Sequence, residues 1–282
     1  EEDLEPAPLK LCDPRALTAK VRLPFSVRLM TSAMNRQWKA TGKSFTEEEY
    51  EALCSDYWSK RSTAVSEHSF EPGETAALID WCHAQGITVN SALGAAFLLA
   101  AEESSLGVAV SVREPGYEGM GNYATGVSVN YFPSVDTGFA ERAQELHAQL
   151  RAKLDDPKSV LFLMKFMDAV SPSLIDAAYF AAFGGYTNPI AQRAADMFGF
   201  RGAAKGVNLT NLTKLPIPAR YGAYRLRSLS FVPPLVPGCE RLVGAATLEG
   251  RLSVTMHYDA RRCEEMQDCF RRAIDTLRRQ TV

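Results

Sequence analysis

The chain has 282 residues, room for one large domain or two small ones at roughly 100–200 residues each, and enough to bury a core without disulfides or metals. Thirty-one Lys and Arg against 33 Asp and Glu leave a formal charge of −2, which argues against a bulk nucleic-acid binder and its strongly basic face. With 46% hydrophobic and 23% charged residues, the composition is that of an ordinary globular protein.

Residues 1–8 are acidic and proline-bearing, a loose start. The first residue is Glu, so the chain is expected to be processed, cleaved from a tag, or part of something longer. A basic stretch follows from Lys20 to Arg28. Ser44 or Thr46, with Glu47 to Glu49 in the first turn, predicts a capped helix running through Tyr57 and Trp58. Residues 1–66 read as a helical connector.

From His68 the pattern becomes regular. Pro72 near the start and Gly86 just past the end bracket one helix. Thr88 caps a second, whose body, residues 91–101, is apolar on nearly every face and therefore buried. Gly94, Ala95 and Ala96 let it sit close to a sheet. Residues 108–113 and 124–132 read as strands, the second ended by Pro133. Residues 139–154 form an amphipathic helix. Residues 159–200 are apolar and helical, broken near Pro172 and Gly184-Gly185. Four strands are predicted at 207–212, 221–232, 241–248 and 252–258, with Glu249-Gly250 as the turn between the last two. A final helix, 262–279, carries the stripe Cys263, Met266, Phe270, Ile274 and Leu277. This order predicts an α/β (α+β) fold, a mixed β-sheet with helices on one face.

The longest apolar stretches, 92–101 and 177–186, fall short of the ~20 residues a spanning helix needs, so no transmembrane segment is expected, and no signal peptide is seen. Six cysteines, at 12, 54, 82, 239, 263 and 269, form no C-x-x-C pair and have no His at ligand spacing. No metal site is expected. They read as reduced, largely buried thiols of a cytoplasmic protein. The sequons at Asn208 and Asn211 read as accidental.

Gly119-Met-Gly-Asn-Tyr-Ala124 spells G-x-G-x-x-A, but it runs into a strand. A dinucleotide site needs the loop to open a helix whose amides meet the pyrophosphate. No nucleophile elbow and no P-loop occur. His83 and His147 read as solvated, and His68 lacks a partner nearby in sequence. His257 sits near a strand end, where a base can be rigidly aimed, with Asp259 on the same face. The competing reading is a surface His ion-paired with Asp259. Asn208 and Thr210 share one face of a strand, and Leu209 and Asn211 the other. Such polar groups either bond neighbouring backbone or line a channel. Residues 161–198 read as core, or as the wall of an acyl-chain tunnel.

Residues 70–97, 121–133 and 207–215, with the paired strands ending in Thr255-Met-His-Tyr-Asp259, resemble in their order the second lobe of condensation-domain and alcohol-acetyltransferase-like enzymes of the chloramphenicol-acetyltransferase-like superfamily. The resemblance covers about residue 70 to the C-terminus, with 67–282 taken as the C-terminal lobe. It implies acyl transfer from a CoA or phosphopantetheine thioester, the latter on a carrier protein, to a hydroxyl or amine, with no tightly bound cofactor. The general base in such enzymes is a His of an H-H-x-x-x-D-G motif on the first lobe. That motif is absent here, so a partner lobe bearing it, on a separate chain or removed, is expected. The nearest match, His257-Tyr-Asp-Ala-Arg-Arg-Cys263, has Arg where the pattern needs Asp-Gly, and the catalytic role is not carried over to His257. Asn208, Thr210 and Asn211 match the region lining the tunnel floor, and Ser128 and Asn130 join them as substrate-tunnel candidates. Three readings stay open: half of an acyltransferase; a lone lobe that binds an acyl group, carrier protein or partner; and a homo-oligomer in which His257 meets Asn208 or Asn211 of a neighbour.

Overall fold

A computed structural model describes residues 14–19, 21–113, 121, 123–133, 136–200, 206–236, 238–239 and 241–281. Gly119, Met120 and Asn122 of the Gly119–Ala124 motif lie outside them. Its last residue, Ala124, opens a strand.

In chain order the elements begin with α1 (Pro14–Leu17), α2 (Phe25–Ala40), α3 (Glu47–Ser59) and β1 (Thr63–Phe70). Of the two caps the sequence offers, Ser44 and Thr46, it is Thr46 that caps α3, in a reciprocal box with Glu49. Then come α4 (Pro72–Ala84), α5 (Val89–Ala101), β2 (Ser105–Ser111), β3 (Ala124–Asn130) and α6 (Phe139–Leu154). The apolar stretch 157–200 breaks into α7 (Pro157–Ala169), α8 (Pro172–Tyr179), a π-helical turn (Phe180–Gly184) and α9 (Pro189–Met197). Each of the three α-helices has Pro in its first turn, where the missing N–H costs nothing. The chain ends with β4 (Val207–Lys214), the two-residue strands β5 (Arg220–Tyr221) and β6 (Tyr224–Arg225), β7 (Arg241–Leu248), β8 (Arg251–Asp259) and α10 (Cys263–Arg278).

Six strands form one mixed sheet in the order β1-β8-β7-β4-β2-β3. The pairs β2–β4 and β4–β7 are parallel; the rest are antiparallel. β7 and β8 join through Glu249 and Gly250, both at positive φ, the backbone a two-residue hairpin turn requires. Two expectations change. β1 is a strand that sequence reading does not predict: its first four residues, 63–66, are read as helical connector and the rest as the start of the lobe, so the boundary at residue 66 falls inside it. The strand expected over 221–232 is instead the small β5–β6 pair followed by irregular chain. Gly222, Pro233 and Pro234 withdraw the regularity a central strand needs.

The main core lies between one sheet face and α4, α5, α6 and α10. Leu106, Val108, Val127, Leu209, Val243, Val254 and Met256 point into it. α5 lies against the sheet at Gly94, where an added Cβ would come within 2.6 Å of Leu106. A second core joins α2 to α8 and α9, built on Trp38, Leu174, Ala177, Ala191 and Ala194. Trp38 Nε1–H donates to Ser173 Oγ at 2.9 Å. Asn35 bridges the α7–α8 break, donating to Ala169 O at 2.8 Å and accepting from Ser171 N at 2.9 Å. Among the described residues no single helix is long and apolar enough to cross a membrane. α4 and α5 are apolar enough as a pair but meet at 95°, and α5 is buried in the core.

Candidate functional site

Side chains alternate across a strand, so the face opposite the helices carries the other half of each strand. One row of register partners crosses all six strands: Ser128, Gly107, Asn208, Leu242, His257 and Val65. The next row holds Thr210, Gly244, Thr255 and Glu67. Apart from Leu242 and Val65 these positions are small or polar, where the helix-covered face is mainly aliphatic.

The chain's own strap, residues 226–236, covers part of it. Thr255 Oγ1–H donates to Phe231 O at 2.6 Å, His257 Nδ1–H donates to Pro233 O at 2.9 Å, and Ser230 Oγ–H donates to the Glu67 carboxylate. Gly244 lies beneath. A Cβ there would overlap the Phe231 carbonyl oxygen and sit 2.5 Å from Pro233 Cδ, so glycine marks a close backbone approach.

Over β4, β2 and β3 the face lies open as a cleft of about 780 Å³. Its floor includes Gly107, Ser128, Asn208 and Thr210, with Ser159, Phe162 and Leu163 of α7 and Cys239 also lining it. Asn208 Nδ2–H points at Cys239 Sγ, 3.5 Å away. Burial pushes the Cys239 thiol above its ordinary range, so it stays a neutral thiol. Lys153, Lys158 and Asp156 line the cleft as well. Asp156 caps α7, and the Ser159 hydroxyl followed by the Lys158 backbone N–H holds its carboxyl below the usual range.

Of the residues predicted for a substrate tunnel, Asn208, Thr210 and Ser128 come together here. Asn130 and Asn211 are not among the residues lining the cleft. Asn130 is exposed, paired with Ser105. Asn211 Oδ1 accepts from Thr213 N–H at 2.8 Å, supporting the irregularity where Thr213 takes φ 58°.

His257 lies under the strap. Because a carbonyl only accepts, its bond to Pro233 O fixes the proton on Nδ1. The expected ion pair with Asp259 does not form: that carboxylate takes the Arg261 side chain, Nε to Oδ1 at 2.9 Å. His147, read as solvated, shares a 2.9 Å hydrogen bond with buried Ser91. His83 is exposed on the last turn of α4. His68 faces inward, edge-on to Phe70, its Nε2 buried without a partner.

Sequence reasoning passes over Gly107 and Cys239. Gly107 carries a legible signal, a lone glycine inside a strand: a Cβ there would overlap Asn208 Oδ1, so its absence lets that amide lie flat on the floor. Cys239 carries none, since 31 residues separate it from Asn208.

No family model and no curated protein matches the sequence. Solved structures do. The EpoB NRPS cyclization-docking bidomain from Sorangium cellulosum superposes with TM-score 0.53 at 16% identity, covering 83% of this chain and 49% of that one. The epimerization domain from the third module of tyrocidine synthetase B gives 0.52 at 12% identity, covering 92% and 56%. The fold is condensation-domain-like. The nonribosomal peptide synthetase FmoA3 gives 0.53 at 19% identity, covering 78% of this chain and 22% of that one. The condensation-domain-like chain thus spans about half or less of each of these structures. At such identities the likeness is one of fold.

Proposed function

We propose that this chain is the C-terminal lobe of an acyltransferase, moving an acyl group from a CoA or carrier-protein thioester to a hydroxyl or amine. The general base, in an H-H-x-x-x-D-G motif, sits on a partner lobe. The observation that carries this reading is the uncovered half of the sheet face, where Ser128, Asn208 and Thr210 line a 780 Å³ cleft on a condensation-domain-like fold. A few hydrogen-bonding groups on a floor of glycines hold and orient a thioester and its amide-bearing arm. They do not abstract a proton: the hydroxyls and the amide do not ionise near neutral pH, and no His lines the cleft. Lys153 and Lys158 offer the cleft's cations to the phosphates of a pantetheine donor.

A second reading, a lobe that binds an acyl group, carrier protein or partner without catalysis, draws on the same absence of a histidine among the lining residues. Size exclusion followed by denaturing intact-mass analysis, with thiol release from acyl-CoA followed in parallel, separates the two. Turnover only with a co-purifying polypeptide that carries H-H-x-x-x-D-G, and weakened by Asn208→Leu, supports the acyltransferase half. A single 31.0 kDa species that binds the thioester without turning it over supports the binding lobe. Turnover by the chain alone that disappears in His257→Ala overturns both.

A further inference from the structure

Residues 14–46 carry seven Lys and Arg and no Asp or Glu, while the rest of the chain holds 24 against 33. The near-neutral total hides one strongly basic segment. Its main element is α2. The inward stripe of that helix is Thr31, Met34 and Trp38. The opposite stripe, Phe25, Leu29, Ser32 and Arg36, follows i, i+4, i+7, i+11 spacing and is exposed throughout. Phe25 is 77% exposed and Leu29 62%.

Arg28 and Lys39 flank that stripe and Arg22 precedes the helix, all exposed. Arg22, Arg28, Arg36 and Lys39 have no carboxylate partner among the described residues. Cations at the ends of the same segment do: Arg15 pairs with Asp168 and Lys43 with Glu49. Four unpaired cations thus surround two protruding apolar side chains.

We infer that the outward face of α2 docks this protein on an anionic phospholipid surface. Anchors of a protein interface sit in well-packed pockets of the partner. Here Phe25 and Leu29 stand well out from the helix, and the clefts of 540, 610 and 780 Å³ include no residue of α2. A lipid interface is the deformable complement to such a shape. Phe25 and Leu29 enter the headgroup–acyl boundary, and the Arg and Lys stems lie along it with their charges on the phosphates. This inference stands apart from acyl transfer and survives its failure.

The test is co-sedimentation of the 282-residue chain with vesicles of phosphatidylcholine alone and of phosphatidylcholine mixed with phosphatidylglycerol. Binding is expected on the mixed vesicles only and weakens with added salt. Arg28→Gln with Arg36→Gln lowers the partition coefficient by about 25-fold, roughly fivefold per charge. Phe25→Ser with Leu29→Ser lowers it by at least about tenfold. All four side chains are exposed, so unchanged unfolding midpoints confirm folded variants. Equal binding to both vesicle types, no binding, or binding indifferent to these substitutions overturns the inference. So does binding to polyglutamate without vesicle binding, which would assign the face to an acidic protein.

Discussion

Gly244→Ala tests how the strap is seated. The new methyl would overlap the Phe231 carbonyl oxygen and approach Pro233 Cδ at 2.5 Å and Thr255 Oγ1 at 2.7 Å. The first two belong to the strap, whose backbone cannot swing aside as a flexible side-chain end can. Either the strap stays and is overpacked, at about 1–3 kcal/mol, or it lifts. Lifting loses the bonds from Thr255, His257 and Ser230 at about 1 kcal/mol each, less for the exposed Ser230, for a total of about 2–3 kcal/mol. Reduced freedom of the unfolded chain returns about 0.4–1 kcal/mol. The expected net loss is about 2 kcal/mol, read from urea unfolding followed by Trp fluorescence. Gly73→Ala, in α4 with nothing within 4 Å of the added Cβ, is the control and should gain about 0.4–1 kcal/mol with no opposing loss. A cycle with Thr255→Val sharpens the test: its own cost of about 1 kcal/mol should shrink toward zero in the Gly244→Ala background if the strap has lifted. A net loss under about 0.5 kcal/mol for Gly244→Ala would refute the seating argument.

Two further predictions concern buried polar groups. Arg241 is 6% exposed and pairs with Glu103 at 3.0 Å and Glu265 at 3.6 Å; Arg241→Met should cost about 2–3 kcal/mol in urea unfolding, and Glu103→Met in the same chain should recover part of it, because stranded charge is the larger penalty. Burial, and then Arg278, push the His68 imidazole below its ordinary pKa against the opposing pull of Glu74 and Asp275. The unfolded chain therefore takes the proton first, so stability is fullest above about pH 6.5 and falls as pH drops through that value toward the folded pKa. His68→Leu should flatten this limb of the urea midpoint between pH 7.5 and 5, and an unchanged slope would exclude His68 as its source.

The long periodic helices, the Thr46, Thr88 and Pro72 start signals and the Glu249-Gly250 turn were legible because each depends on residues within one turn of one another. β1 was not. Its inward positions include Ser66 and His68, which reach the core only because Tyr258 OH meets Ser66 Oγ at 3.1 Å and Phe70 packs on the His ring. Polar residues on both faces erase the alternation that announces a strand. The site divides the same way. Asn208, Thr210 and Ser128 share a face by simple parity along strands, whereas Asn211 was drawn into a local turn by Thr213. The partner of His257 lies 24 residues away on irregular chain, where neither periodicity nor spacing carries information.

The two glycines of the open face separate structure from function. Gly244 lies under backbone; Gly107 lies under the end of one side chain, the Asn208 amide. Gly107→Ala should therefore be absorbed by rotation of that amide, at a stability cost below about 1 kcal/mol. The rotation breaks the contact with Cys239 Sγ and turns the amide out of the cleft floor. If the amide orients a thioester there, Gly107→Ala and Asn208→Ala should each weaken acyl-CoA binding by about tenfold, the worth of one hydrogen bond. The double variant should bind no worse than either single one, since both remove the same contact. Calorimetric titration reads the affinities and urea unfolding reads the stabilities. Additive losses in binding would mean that Gly107 acts other than through Asn208. A loss of stability equal to that of Gly244→Ala would mean that the β2–β4 face tolerates no movement, and the cleft would then be a packing defect rather than a floor built for a ligand.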